Sequence, residues 1–164
     1  MARSASRSIV EDWNYRRLLL LGLVSGLVAG ILIWVLMLIV TAIHGPSLWA
    51  FPKWVADAIY GDSWLGFNLQ EVVTGTLLHL LVSAILGILF YVTLVPFLPT
   101  MRLLVSAGVV WGLLVWVVLT LMVLNSVDPV MAQEVPNVAW LCMHILFGLT
   151  LGYLAGSWRS FAEV

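Results

Sequence analysis

Two histidines lie inside apolar runs long enough to cross a bilayer, and imidazole can ligate a metal, carry a proton or hydrogen-bond across helices. His79 sits in LHLLVSAILG (residues 78–87) and His144 in MHILFGLTLG (residues 143–152). Their surroundings repeat: His, three residues, a small residue, three residues, Gly. His79, Ser83 and Gly87 thus correspond to His144, Gly148 and Gly152, an offset of 65 residues. A ring turned to lipid would have no hydrogen-bond partner, so both are expected to face the bundle interior.

Three chemistries suit such a pair. In the first, each ring donates to a backbone carbonyl or to a hydroxyl such as Ser83, Thr74 or Thr76 and contributes on the order of 1 kcal/mol to helix association. In the second, His79 and His144 are the axial ligands of a b-type haem, with neighbouring glycines leaving room for the macrocycle. Each histidine lies about seven residues, or roughly 10 Å, below the outer end of its helix, so the depths match. Haem propionates want basic partners, however, and Lys53 is the one basic residue of the outer loops, among Asp57, Asp62, Glu71, Asp128 and Glu134. In the third, the rings join Glu71, Glu134 or His44 in a proton or metal site at the outer mouth. Cys142 and Met143 flank His144, but adjacent helical positions point apart, which argues against a copper site built from them. The sequence holds no hydrolase, nucleotide-binding or zinc-protease motif.

The elements that position these residues follow from composition. A chain of 164 residues that is 63% hydrophobic and 9% charged has too little charge for a water-facing surface. An apolar run of about 20 residues spans the hydrocarbon core, and four runs qualify: 17–43, 72–95, 103–125 and 137–157. The expected fold is one all-α membrane domain over 1–164 with four transmembrane helices. The segments 1–16, 44–71, 126–136 and 158–164 remain as an N-terminal segment, two outer loops and a tail. The first apolar run is full spanning length without a cleavage site, so it reads as a helix of the mature protein rather than a signal peptide. Cys142 is the only cysteine, which rules out an internal disulfide.

Arg3, Arg7, Arg16 and Arg17 precede the first span, Arg102 joins the middle two, and Arg159 follows the last. Basic residues are held on the cytoplasmic side, so both termini are expected there. The opposite, acidic side excludes nucleic acid as a partner.

GLVAGILIWVLMLIV (26–40) lies over GVVWGLLVWVVLTLM (108–122) at an offset of 82, aligning Gly26, Gly30 and Trp34 with Gly108, Gly112 and Trp116. Together with the histidine repeat this reads as two tandem helical hairpins, a parallel duplication. The two offsets differ because the first outer loop is 17 residues longer. Within it, Phe51, Trp54, Val55, Ala58 and Ile59 fall at helical spacing, with Lys53 and Asp57 on the other side. We expect a short interfacial helix near 51–60. Trp49, Trp54 and Trp64 should sit at headgroup depth there, and Trp13 and Tyr15 should anchor the other interface. Gly22, Gly26, Gly30, Gly75, Ser83, Gly87, Gly108, Gly112, Gly148, Gly152 and Gly156 form small-residue stripes that let helices approach closely, within the chain or between chains.

With its GLVAG, HGPSLW, FPKWVADAIYG, LHLLVSAILGILF and MHILFGLTLGYL segments, the chain resembles a group of uncharacterised bacterial four-helix membrane proteins. That resemblance implies a multi-pass protein of the bacterial inner membrane and brings no activity, substrate or cofactor with it. The residues themselves point to a non-catalytic accessory or scaffold subunit, in contact with lipid and with other membrane subunits or copies of itself. A haem-binding electron-transfer subunit using His79 and His144 is the alternative. A small channel or proton or metal transporter is weaker, because the middles of the first and third spans hold no ionisable side chain.

Overall fold

The structure, a computed structural model, describes residues 14–61, 66–124, 133 and 135–162. Among them are five α-helices and no strand. They are α1 (Tyr15–His44), α2 (Ala50–Tyr60), α3 (Leu69–Thr93), α4 (Met101–Val118) and α5 (Asn137–Ala162). A 3-10 turn, Val95–Phe97, follows α3, and a π-helical segment, Leu119–Leu124, continues α4. Four stretches are long and apolar enough to cross a membrane: Tyr15–His44, Leu69–Phe97, Met101–Leu121 and Asn137–Ser160.

Helix starts are set by short polar side chains that accept otherwise orphaned amides. Asn14 accepts from the Arg17 amide at 3.2 Å, Asn68 from Gln70 at 3.0 Å and Thr100 from Leu103 at 3.3 Å. Asn68 also donates its side-chain amide to Glu71 Oε1 at 2.7 Å, tightening the first turn of α3. Pro96, within the 3-10 turn, cannot supply the amide that would continue α3.

The helices pack as two antiparallel pairs, α1 with α3 and α4 with α5, and the pairs join where α1 packs along α5. Glycines make both pairings possible. A methyl group on Gly26 would collide with the Ser83 carbonyl, and one on Gly87 with Gly22 and Gly26 backbone. In the second pair, a methyl on Gly108 would collide with the Gly148 carbonyl and one on Gly112 with the His144 carbonyl. The stripes are therefore spent inside the chain, where close backbone approach raises dispersion contact between helices. Gly75 serves α2 instead, lying under the Pro52 carbonyl, and Gly156 lies under the Met101 thioether.

Large apolar side chains fill the space between, among them Leu18, Met37, Phe90, Tyr91, Leu104 and Leu151. One polar bond crosses the α1–α3 seam at full burial: Ser25 Oγ and Tyr91 Oη are 2.6 Å apart. Tyr91→Phe should lower stability in detergent by about 1 kcal/mol, the net value of one buried bond, as read by thermal unfolding. At the far end of α5, Arg159 donates to the Leu98 carbonyl and ties that helix to the link between α3 and α4.

The short helix α2 differs from its expected polarity. Lys53 was placed on an outward polar face, yet it is buried at 7% exposure. Its Nζ donates to the Gly66 carbonyl at 2.8 Å and lies 3.5 Å from Glu71 Oε2. The cause is local: Gly66, with φ of 86°, presents its carbonyl to the lysine. Ile59, on the expected apolar side of the helix, is 59% exposed. Trp54, one of the expected interface anchors, is 8% exposed. Tyr15 is half exposed at the start of α1, and Trp49 packs edge-on against Phe67. Trp13 and Trp64 lie outside the described residues. At the end of α2, Tyr60 bonds to Thr74 at 3.1 Å and Gln70 at 3.2 Å, and these bonds, Thr74 first, hold its phenol below the usual tyrosine range.

Candidate functional site

His79 reaches the interior because α3 lies against α1 at the closest spacing glycine permits, which brings its Nε2 to 3.0 Å from the Gly30 carbonyl. A carbonyl only accepts, so Nε2 carries the proton and donates. His144 does the equivalent within its own helix: Nδ1 donates to the Trp140 carbonyl at 2.8 Å. The two rings are positioned by opposite nitrogens, although their sequence contexts match. In an uncharged imidazole this leaves Nδ1 of His79 and Nε2 of His144 as bare acceptors.

Both rings line one cavity of about 220 Å³ between the two helix pairs. Its walls are aromatic and aliphatic: Phe51 and Trp54 from α2, Val82 from α3, Val115 from α4, and Trp140 and Phe147 from α5. Phe51 meets His79 edge to face at 5.3 Å, and Trp140 lies 5.4 Å from His144. Leu119 and Thr120 of the π-helical segment also line it. A π turn widens a helix and re-aims its side chains, and such turns are frequent where a helix borders a site.

Trp140 is a second polar feature of the cavity wall. It is 8% exposed, and its Nε1 has no hydrogen-bond partner. A buried donor left unpaired costs roughly 1–3 kcal/mol, so this group stands ready for an acceptor. The indole nitrogens of Trp34, Trp111 and Trp116 are also buried and unpaired.

The third sequence reading, a proton or metal site including Glu71 or His44, is not assembled. Glu71 is held by Asn68 and Lys53, and His44 is exposed at the end of α1. Among the described residues no carboxylate lines the cavity, and no three His, Cys, Asp or Glu side chains converge as a metal site would require. Glu134 falls outside the described residues. Sequence reading placed both histidines but missed Trp140 as an unpaired donor and α2 as a cavity wall. No sequence signal distinguishes a tryptophan whose N–H is satisfied from one whose N–H is not.

These features define a four-helix membrane protein with an apolar cavity carrying two oriented imidazoles. The chain belongs to a family of unknown function, DUF6789, which it matches over residues 17–163. No curated protein and no solved structure matches the chain.

Proposed function

We propose that this chain is a non-catalytic accessory subunit of a bacterial inner-membrane assembly, and that its working part is the His79–His144 cavity, where it holds a lipophilic ligand. Both termini face the cytoplasm, and α2 lies at the outer interface over the cavity. The observation that carries this reading is the orientation of both histidines by backbone carbonyls toward one shared, largely apolar space. Structural hydrogen bonding alone accounts for one nitrogen of each ring and leaves the other, as well as the Trp140 N–H, unused.

The duplication reading is supported by the contacts. Gly26 approaches Ser83, and its counterpart Gly108 approaches Gly148, the counterpart of Ser83. Gly22 meets Gly87, as Leu104 meets Gly152. Two related hairpins thus close through matched residues.

Haem between the histidines has one feature in its favour: a ligating imidazole commonly donates its other nitrogen to a carbonyl. The cavity falls below the roughly 300–1,000 Å³ of pockets for drug-sized ligands, and a haem is larger than most of these. Lys53, the basic residue at that end, is already bonded to Gly66 and paired with Glu71. The residues present therefore fit a smaller group better.

Purification in mild detergent followed by native mass spectrometry tests the reading. The protein should retain a non-covalent small molecule that the double variant His79→Phe, His144→Phe loses, and partner subunits should accompany it in fixed proportion. A monodisperse chain with no bound molecule would count against both parts. A Soret band abolished by the double variant would replace the small ligand with haem.

A further inference from the structure

The symmetry of the bundle is broken in one place. If α1 and α4 are counterparts, as are α3 and α5, the packed face between α1 and α5 should have a matching face between α4 and α3. That face is looser: α3 and α4 are consecutive in the chain, yet their backbones stay apart, and side chains such as Phe90 and Trp111, with ring centroids 6.0 Å apart, meet across it. The helices are joined in the order α3, α1, α5, α4, and the looser seam falls between the first and the last.

The space in this seam adjoins the histidine cavity. A groove of about 250 Å³, lined wholly by apolar side chains, shares Val82, Leu86, Val115 and Leu119 with the cavity and extends past Trp111 and Leu114. The seam thus places a polar-tipped head chamber beside an apolar groove.

We propose that this seam binds a single-tailed amphiphile with a dihydroxy-aromatic head, a quinol, its ring in the chamber beside His79 and His144 and its tail in the groove between α3 and α4. The assignment rests on the ligand-cavity reading above and names the ligand class. Two bare ring nitrogens accept and do not donate, so the head must bring donors; two hydroxyl groups supply one for each. The unpaired Trp140 N–H donates in turn to a hydroxyl oxygen. Phe51, Trp140 and Phe147 give an aromatic ring stacking and edge contacts. The chamber's size suits one ring rather than a macrocycle.

The oxidised counterpart fits poorly. Quinone oxygens only accept, and they would meet the lone pairs of both histidines. Reversing the imidazole tautomers would remove the bonds to Gly30 and Trp140, leaving those carbonyls without a partner they now have. A helix from a second copy fits no better, since an α-helix with its side chains is about 10–12 Å across, too bulky for a groove of about 250 Å³.

The test uses the full chain in lipid nanodiscs, with a decyl-tailed benzoquinol and its quinone as probes and binding read by native mass spectrometry and tryptophan quenching. The quinol should bind about tenfold more tightly than the quinone, the worth of one buried hydrogen bond. Trp140→Phe should weaken quinol binding several-fold, and thermal unfolding of the same variant reads the separate packing cost of the smaller ring in the core. Leu114→Trp, a surface change in the groove, should weaken the decyl quinol and leave tail-less hydroquinone unchanged. Equal affinity for both redox forms would overturn the donor match. Retention of another lipid with no affinity for quinol would overturn the ligand class while the cavity reading stands, and a chain that binds nothing would overturn both. Quantitative disulfide dimerisation of Leu114→Cys would assign the seam to a second copy and overturn the quinol.

Discussion

Replacing Gly148 with alanine should lower unfolding free energy by about 2–3 kcal/mol, whereas the same change at Gly156 should cost under about 1 kcal/mol. Both glycines lie on the α5 face that packs on α4, and both would meet an atom of α4 if given a methyl group. They differ in what they meet. At Gly148 the obstacle is the Gly108 carbonyl and the Gly112 amide nitrogen, backbone that moves only if the two helices separate along the whole pair. At Gly156 it is the thioether of Met101, the end of a flexible side chain that can swing to another rotamer. Separating α4 from α5 also forfeits dispersion contacts along the seam, which is the main attraction between helices in lipid. Thermal unfolding of the two variants in one detergent gives the comparison directly. Equal losses would mean that the seam is soft and that helix spacing is not set by glycine. Gly26→Ala should resemble Gly148→Ala, because the atom it meets is likewise backbone, the Ser83 carbonyl.

That contrast also shows what a sequence discloses and what it withholds. Membrane helices announce themselves through long apolar runs, so the spans of α1, α3, α4 and α5 were readable from hydropathy, with ends differing by a few residues where Asn14, Asn68 and Thr100 supply caps. The small-residue stripes were readable as contact surfaces, but their partners were not, since spacing alone cannot say whether Gly148 meets Gly108 or another chain. The histidine repeat was readable as a pair. The opposite use of ring nitrogens was not, because it depends on whether a carbonyl of another helix or of the same helix comes nearest. For Lys53 the helical period gave the wrong side: amphipathic spacing assigns a cation to water, and it carries no knowledge of a carbonyl and a carboxylate delivered from residues 13 and 18 positions further on. The looser α3–α4 seam was the least legible feature, since apolar spacing does not say which pair of neighbouring helices keeps its backbones apart.

Lys53→Met should destabilise the protein by roughly 3–5 kcal/mol, the cost of leaving one member of a buried ion pair without the other. The two side chains are only 9% and 16% exposed, so water replaces little of what is lost. Hydrogen bonding and charge are divided here. The well-formed bond of Nζ goes to the Gly66 carbonyl at 2.8 Å, while Glu71 Oε2 at 3.5 Å has no hydrogen bond of its own and is held by Coulombic attraction. Removing the cation strands that oxygen. Lys53→Met combined with Glu71→Leu should therefore be markedly more stable than Lys53→Met alone, and chemical denaturation of both variants in mixed micelles measures the difference. If the double variant were no better, the loss would belong to the Gly66 bond and not to the pair. The consequence reaches the cavity, since Lys53 fixes α2 against the start of α3, and α2 supplies Phe51 and Trp54 to the cavity wall. A loosened α2 uncovers His79, so Lys53→Met should also release bound ligand faster, while the double variant, with α2 still resting on Gly75, should retain it.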